Sequence, residues 1–242
     1  MTTAAPTLTI VIPAFNEAAN LAPVVAEVFE ARRRQPAVDS LEIVVVDDGS
    51  GDGTAEAADA LAASHQEVHA LHHPVNRGFG AALRTGFSAS RGRYVTLITA
   101  DGEMDPAQVL ALFASMGDAD LMLGMRERKV SAYRDVLTFG LNVLMRLILG
   151  FVPDPITALI VRGDLLRRMD LQSNTGLANL EVRLYCRMWG CRIRTGPTQV
   201  RPRLSGQSKV TNVPTMIKTF WEMAKLRRAL RRREAAHRKA AA

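Results

Sequence analysis

Carboxylates crowd one short stretch, "TADGEMDP" at residues 99–106, where Asp101, Glu103 and Asp105 follow the apolar run "RYVTLI". Like charges this close repel one another unless a cation sits among them, and hard oxygen donors of this kind suit Mg²⁺ or Mn²⁺. Such ions commonly hold a diphosphate. Two further stretches set similar polar residues after an apolar run: "PAFNE" (13–17) after "LTIVI", and "DDGSGDGT" (47–54) after "LEIVVV". Turn formation explains the Gly, Asn and Asp of any one of them. The coincidence of all three points to one shared site. Asp105 stands apart, because Pro106 follows it and the pair reads as a helix N-cap with proline at the first helical position.

For three such loops to meet, the runs before them must lie side by side. The β-rich runs 8–13, 41–48, 67–73, 93–100 and 120–125 read as strands, and helices are expected near 17–34, 53–64, 79–90 and 106–116. Unbroken Val and Ile runs alternating with helices predict an α/β fold, a mainly parallel sheet flanked by helices. In such sheets ligands sit beyond the carboxyl ends of the strands. No G-x-x-x-x-G-K-[ST] phosphate loop occurs and no G-x-G-x-x-G follows the first strand, which disfavours ordinary ATPases and dinucleotide dehydrogenases. The G-x-G of "NRGFGAALRTG" (76–86) follows the third strand and is a weak fingerprint.

With 242 residues, 48% of them hydrophobic, the chain suits one large domain or one domain with a short appendage. The net charge of +7 resides in the tail, where eight Lys and Arg from Lys225 onward face Glu234 alone. "KLRRALRRREAAHRKAAA" reads either as a basic helix for an anionic membrane face or as a solvated tail. No aromatic-rich motif accompanies it, so nucleic acid is not an expected partner. Upstream, Arg134, Thr138, Asn142 and Arg146 recur every four residues in "RDVLTFGLNVLMRLILGFV" (134–152). The helix so described lies either in a membrane interface or in a core, and its apolar stretches fall short of the ~20 residues a span needs. Cys186 and Cys191 lack companion metal ligands and read as plain thiols in a reducing compartment. The N-terminus shows no secretory signal, so a cytoplasmic location is expected.

In order and spacing, "IVIPAFNEAANL", "IVVVDDGSGDGT", "NRGFGAALRTGF" and "ADGEMDP" resemble inverting glycosyltransferases of the GT-A, or nucleotide-diphospho-sugar transferase, fold. "GFVPDPITALIV" and "RPRLSGQSKV" bring the chain closer to the branch resembling dolichyl- or polyprenyl-phosphate sugar synthases. The resemblance implies a catalytic domain over residues 1–212 and a basic helical tail over 213–242. It places Pro13, Ala14, Phe15, Glu17 and Ala100 at the nucleotide, sends Asp48 to the base and leaves Asp47 a turn-holding role. Asn76, Gly78 and Arg84 resemble the segment that closes over the nucleotide; Arg84 reads either as a phosphate fork or as an exposed helix charge. Asp101 and Glu103 match the metal-binding stretch, with two departures: Thr99 stands where the family usually has Asp, and Glu103 where it has Gln. The acid gained at 103 restores the charge lost at 99.

Farther along, Asp154 and Thr157 fit the acceptor motif, but Ala158 replaces Gly and Ile160 replaces the Arg expected at the acceptor phosphate. Glu181, in "LANLEVRLYCRMWG", matches an acid that faces the site; a surface helix carboxylate is the alternative. Arg203, Ser205, Ser208 and Lys209 form a basic loop suited to phosphate oxygens. The resemblance thus implies inverting transfer of a sugar from a nucleotide-diphosphate donor to a polyprenyl-phosphate-like lipid, with Mg²⁺ or Mn²⁺ as cofactor. Asp101, Asp154, Arg203 and Lys209 carry the catalysis, while Thr157, Glu181, Ser205 and Ser208 attend the acceptor or sugar. The protein is then peripheral to the inner face of a membrane, an arrangement compatible with a separate integral membrane subunit. Three rivals remain: transfer to a hydroxyl acceptor with Asp154 or Glu181 as base; a non-catalytic sugar-nucleotide-binding scaffold, suggested by Thr99 and Ile160; and, last, nucleic-acid binding through the basic tail.

Overall fold

A computed structural model describes residues 7–126 and 156–204, with Glu222, Lys225 and Arg228 as isolated helical positions. The chain divides into two compact units, residues 1–126 with 156–207, and residues 127–155 with 208–242. Asp154, Ser205, Ser208, Lys209, the apolar segment 134–152 and nearly all of the basic tail lie outside the described residues.

Seven strands form the sheet of the first unit: β1 (Leu8–Ala14), β2 (Leu41–Asp47), β3 (Val68–His72), β4 (Tyr94–Leu97), β5 (Leu121–Arg126), β6 (Ile156–Arg162) and β7 (Ile193–Thr198). Their order is β3-β2-β1-β4-β6-β5-β7. β6 runs antiparallel to both of its neighbours, and the other pairings are parallel. Every residue of β1 and β2 is buried, which is why these strands read as unbroken apolar runs rather than alternating ones. The order reverses about β1, so the loops after β1, β2 and β4 share one edge, where such sheets bind ligands.

Four helices match the expected positions: α1 (Ala18–Arg33), α2 (Thr54–Ser64), α3 (Phe79–Ala89) and α4 (Pro106–Ala114); α5 (Gly163–Leu166) and α6 (Leu177–Met188) follow β6. α3 lies against β1 and β2, and α1 contacts both α2 and α4. Asp105 caps α4 as expected, accepting the Ala107 N–H at 2.9 Å with Pro106 at the first helical position. Arg32 and Arg33 place positive charge in the last turn of α1, where the helix dipole favours it. β4 is shorter than its apolar run, because the chain turns out of the sheet to build the acidic loop after Leu97. β6 and β7 were not among the expected strands. β7 carries Gly196 and Pro197, residues that argue against a strand except at a sheet edge, which is where it lies.

Candidate active site

The loops after β1 and β2 are pinned together by four bonds. Asn16 adopts a left-handed φ of 52°, a conformation asparagine tolerates. Its N–H donates to Ser50 Oγ at 2.9 Å, and its side-chain Oδ1 accepts from Gly51 N at 2.9 Å. Glu17 N donates to Thr54 Oγ1 at 2.8 Å and Ala18 N to Asp52 Oδ2 at 3.2 Å, so α1 is capped by side chains of the neighbouring loop. Burial pushes the Asp52 carboxyl up, but bonds from the Thr54 side chain and the Ala18 and Thr54 N–H groups hold it below the ordinary range. Pro13 and Ala14 are buried at the end of β1; Phe15 and Glu17 are half-buried beside them.

Asp48 is buried, and its carboxylate is committed to the loop after β3. Oδ1 accepts Arg77 N at 2.9 Å and pairs with His73 Nδ1 at 2.6 Å, while Oδ2 accepts Gly78 N at 2.8 Å. His73 Nε2 in turn meets Thr85 Oγ1 at 2.9 Å. The sequence reading sends Asp48 to the base; in the structure its carboxylate also folds the segment from Asn76 to Gly78, whose two adjacent N–H groups need a buried acceptor. Asn76 is exposed at the tip. Asp47 accepts Ser50 N at 3.1 Å and so holds the turn. Arg84 is neither an exposed charge nor a bare fork: its Nη2 donates to Asn174 Oδ1 at 2.6 Å and its Nη1 to the Leu171 carbonyl at 3.4 Å.

Beyond β4, with Ala100 buried at the turn, Thr99 Oγ1 donates to Asp101 Oδ1 at 2.6 Å, and Glu103 N donates to the same oxygen at 3.1 Å. Thr99 therefore orients Asp101. Gly102 takes φ 74°, a left-handed conformation that favours glycine, and the Leu204 side chain of segment 201–204 packs over it, Cγ lying 2.6 Å from where a Cβ would stand. That segment is held by Arg201 N donating to the Glu103 carbonyl at 2.9 Å and Leu204 N to the Asp101 carbonyl at 3.1 Å. Between these two bonds Arg203 reaches both acids, with Nη2 3.1 Å from Asp101 Oδ2 and Nε 2.7 Å from Glu103 Oε1. Burial opposes its charge, but Glu103, Asp101 and Glu17 raise the Arg203 pKa. The sequence reading expects a divalent cation at Asp101 and Glu103; in the structure a guanidinium spans the two carboxylates. Among the described residues no three His, Cys, Asp or Glu are grouped to hold a metal. The two carboxylates nevertheless converge on one positive charge, which stands in for a cation, and both are hard oxygen donors. They fit a divalent ion whose remaining ligands come from a diphosphate.

The acceptor-side residues divide. Thr157 lies in β6 and bonds within the sheet, to the Gly124 carbonyl at 3.2 Å and to the Thr198 hydroxyl. Ile160 is fully buried, paired with Thr96 of β4 and Met122 of β5, so this position belongs to the core and offers no acceptor contact. Glu181 is 2% exposed, and its Oε2 accepts the N–H groups of Gln172 and Ser173, each at 2.9 Å. It does not face an open site. Cys186 is buried and its thiol is pushed up by burial, in keeping with an unreactive role. Asn16, His73 and Asn174 hold these loops in place, and the sequence reading did not single them out.

Residues 9–138 match the family described as glycosyl transferase family 2. The chain belongs to glycosyl transferase family 2. It is 33% identical over 174 residues to the undecaprenyl-phosphate mannosyltransferase of Micrococcus luteus, a match that spans 67% of this chain and 69% of that protein. It is 34% identical over 177 residues to the polyprenol monophosphomannose synthase of Mycolicibacterium smegmatis, spanning 68% of this chain and 64% of that one. The solved structure of a mannosyltransferase from Pyrobaculum calidifontis, in complex with GDP-Man and Mn²⁺, superposes with a TM-score of 0.58 at 19% identity, covering 97% of this chain and 76% of that one. The fold is the GT-A fold expected from the sequence.

Proposed function

We propose that this glycosyltransferase moves a sugar from a nucleotide-diphosphate donor to a polyprenyl-phosphate-like lipid, with inversion at the anomeric carbon. The observation that carries the reading is the convergence of Asp101 and Glu103 on one cationic centre, on the sheet edge that also bears the loops after β1 and β2. The names of two relatives support the acceptor class, one an undecaprenyl-phosphate mannosyltransferase and the other a polyprenol monophosphomannose synthase. Bound Mn²⁺ in the Pyrobaculum mannosyltransferase supports a divalent ion in the same role.

In this reading Asp101 and Glu103 would hold Mg²⁺ or Mn²⁺, which would supply positive charge to a departing diphosphate. Thr99 keeps Asp101 aimed, and Arg203, which reaches the same carboxylate, would share the diphosphate's charge once released from the acids. An acceptor phosphate oxygen attacks the anomeric carbon as its bond to the diphosphate breaks, and the electron pair leaves with the nucleoside diphosphate. A phosphate monoester has its second pKa at about 6, so at neutral pH it attacks without a strong base. That agrees with the position of Glu181, whose carboxylate is occupied by two backbone N–H groups. Ser205, Ser208 and Lys209 grip phosphate, Asp154 orients the acceptor, and segment 134–152 with the basic tail rests on the lipid surface of the cytoplasmic face. No helix among the described residues is long and apolar enough to cross a membrane.

The test is a donor screen. Labelled GDP-, UDP- and dTDP-sugars are incubated with the protein, a polyprenyl phosphate in detergent, and Mg²⁺, Mn²⁺ or chelator. Cation-dependent label in the organic phase supports the reading. Label confined to the aqueous phase with a glycan acceptor, or no transfer from any donor, refutes it.

A further inference from the structure

Glu181 lies on α6, and its buried carboxylate accepts two consecutive backbone N–H groups, those of Gln172 and Ser173. The loop it holds, 171–175, is gripped on its other side by α3. Asn174 supplies a carbonyl that accepts Gly80 N at 2.9 Å and a side-chain oxygen that accepts Arg84 Nη2 at 2.6 Å. The approach is close: a Cβ at Gly80 would stand 2.5 Å from the carbonyl oxygens of both Ser173 and Thr175. Gly80 is therefore demanded by backbone passing directly over the first turn of α3, contact that real side chains never make.

That first turn continues the segment whose Arg77 and Gly78 N–H groups are bound by Asp48. One continuous set of bonds thus runs from Glu181 through loop 171–175 to α3, and from α3 to the loop after β3. We infer that Glu181 is a positioning residue for the donor: its carboxylate fixes loop 171–175, which fixes the segment Asn76–Arg84 at the nucleotide. A carboxylate suits this task because two buried N–H groups on adjacent residues need one strong acceptor, and a neutral side chain binds them less firmly. The inference rests on the reading of residues 76–84 as a donor segment.

Two measurements on Glu181→Gln and on Gly80→Ala test it. Hydrogen exchange, which needs no ligand, reports the mechanical link: faster exchange at residues 76–84 in Glu181→Gln, a segment Glu181 does not touch, is the expected result. Kinetics report its use: the donor KM rises about tenfold in both variants while kcat at saturating donor and the pH profile stay close to wild type. Unchanged exchange at 76–84 overturns the link. So does a fall in kcat with loss of one limb of the pH profile, the mark of a general base. Should Glu181→Gln melt far below the wild type, Asn174→Ala, which removes the 2.6 Å Arg84 contact, carries the same two expectations. Absence of any nucleotide-sugar binding by the wild type refutes the proposed function instead, and the exchange data then still decide the link.

Discussion

Replacing Arg203 by Met separates a cation that must compete for its site from one that finds the site open. In the donor-free protein the guanidinium makes two charge-assisted contacts, 3.1 Å to Asp101 and 2.7 Å to Glu103. The Asp101 side chain is 12% exposed and that of Glu103 38%, so the first contact is shielded and the second is largely screened by water. An exposed pair contributes about 0–1 kcal/mol, and a hydrogen bond to a charged group about 1.5–3 when shielded. Discounting for the solvent at Glu103, displacing the guanidinium costs an entering ion about 1–2 kcal/mol. Arg203→Met removes that cost, and Mn²⁺ should bind the donor-free variant about 5- to 30-fold more tightly than wild type. With a nucleoside diphosphate present the gain should shrink or reverse, because the guanidinium is then missing from the diphosphate's surroundings. Loss of the free Mn²⁺ spectrum in an electron paramagnetic resonance titration, run with and without GDP or UDP, reads both affinities. If donor-free Mn²⁺ binds the variant no better than wild type, Arg203 does not occupy the cation's place and the reasoning fails.

Thr99→Val, which deletes the 2.6 Å bond to Asp101 at little change in volume, should weaken Mn²⁺-dependent nucleotide binding by about 3- to 10-fold, measurable by calorimetry, while leaving metal-free nucleotide binding unchanged. Ile160→Arg, which reinstates the residue usual in the related proteins, should unfold the protein or lower its stability by more than about 3 kcal/mol, because an unpaired charge would enter the core; retained stability with a lower acceptor KM would contradict this burial. Glu42 is 2% exposed and accepts from Thr9 Oγ1 at 2.6 Å, Arg91 N at 2.9 Å and Arg91 Nε at 2.6 Å. Burial raises its carboxyl, but these bonds outweigh burial and leave it below the ordinary glutamate range. Its contribution is therefore complete above the unfolded pKa of about 4.3 and lost as pH falls through the lower folded value. Acid titration of thermal stability should show this loss below about pH 4 in wild type and a flatter profile in Glu42→Gln.

Local rules carried most of what the sequence disclosed. The buried runs of β1 and β2, the Asp105–Pro106 start of α4 and the convergence of three polar loops all follow from short-range chemistry visible in adjacent residues. β6 is legible only in the β-branched content of "ITALIV", which a motif pattern obscures, and β7 is masked by Gly196 and Pro197. The site shows the deeper limit. Asp48, Arg84 and Glu181 have the residue types of ligand contacts, yet their side chains bind backbone N–H groups, carbonyls or a loop amide. An acid that meets a ligand and an acid that meets a buried amide are the same letter in a sequence, and only the long-range partner tells them apart. The Arg203 bridge spans 102 and 100 residues of chain, a pairing that no local pattern encodes.

Calorimetric titration of GDP and UDP into wild type and into an Asp101→Asn, Glu103→Gln double variant, each with Mn²⁺ and with chelator, examines the cation site directly. Tighter nucleotide binding with Mn²⁺ in wild type, and no such tightening in the double variant, is the predicted result. Equal dependence on Mn²⁺ in both proteins would place the ion elsewhere and contradict the account.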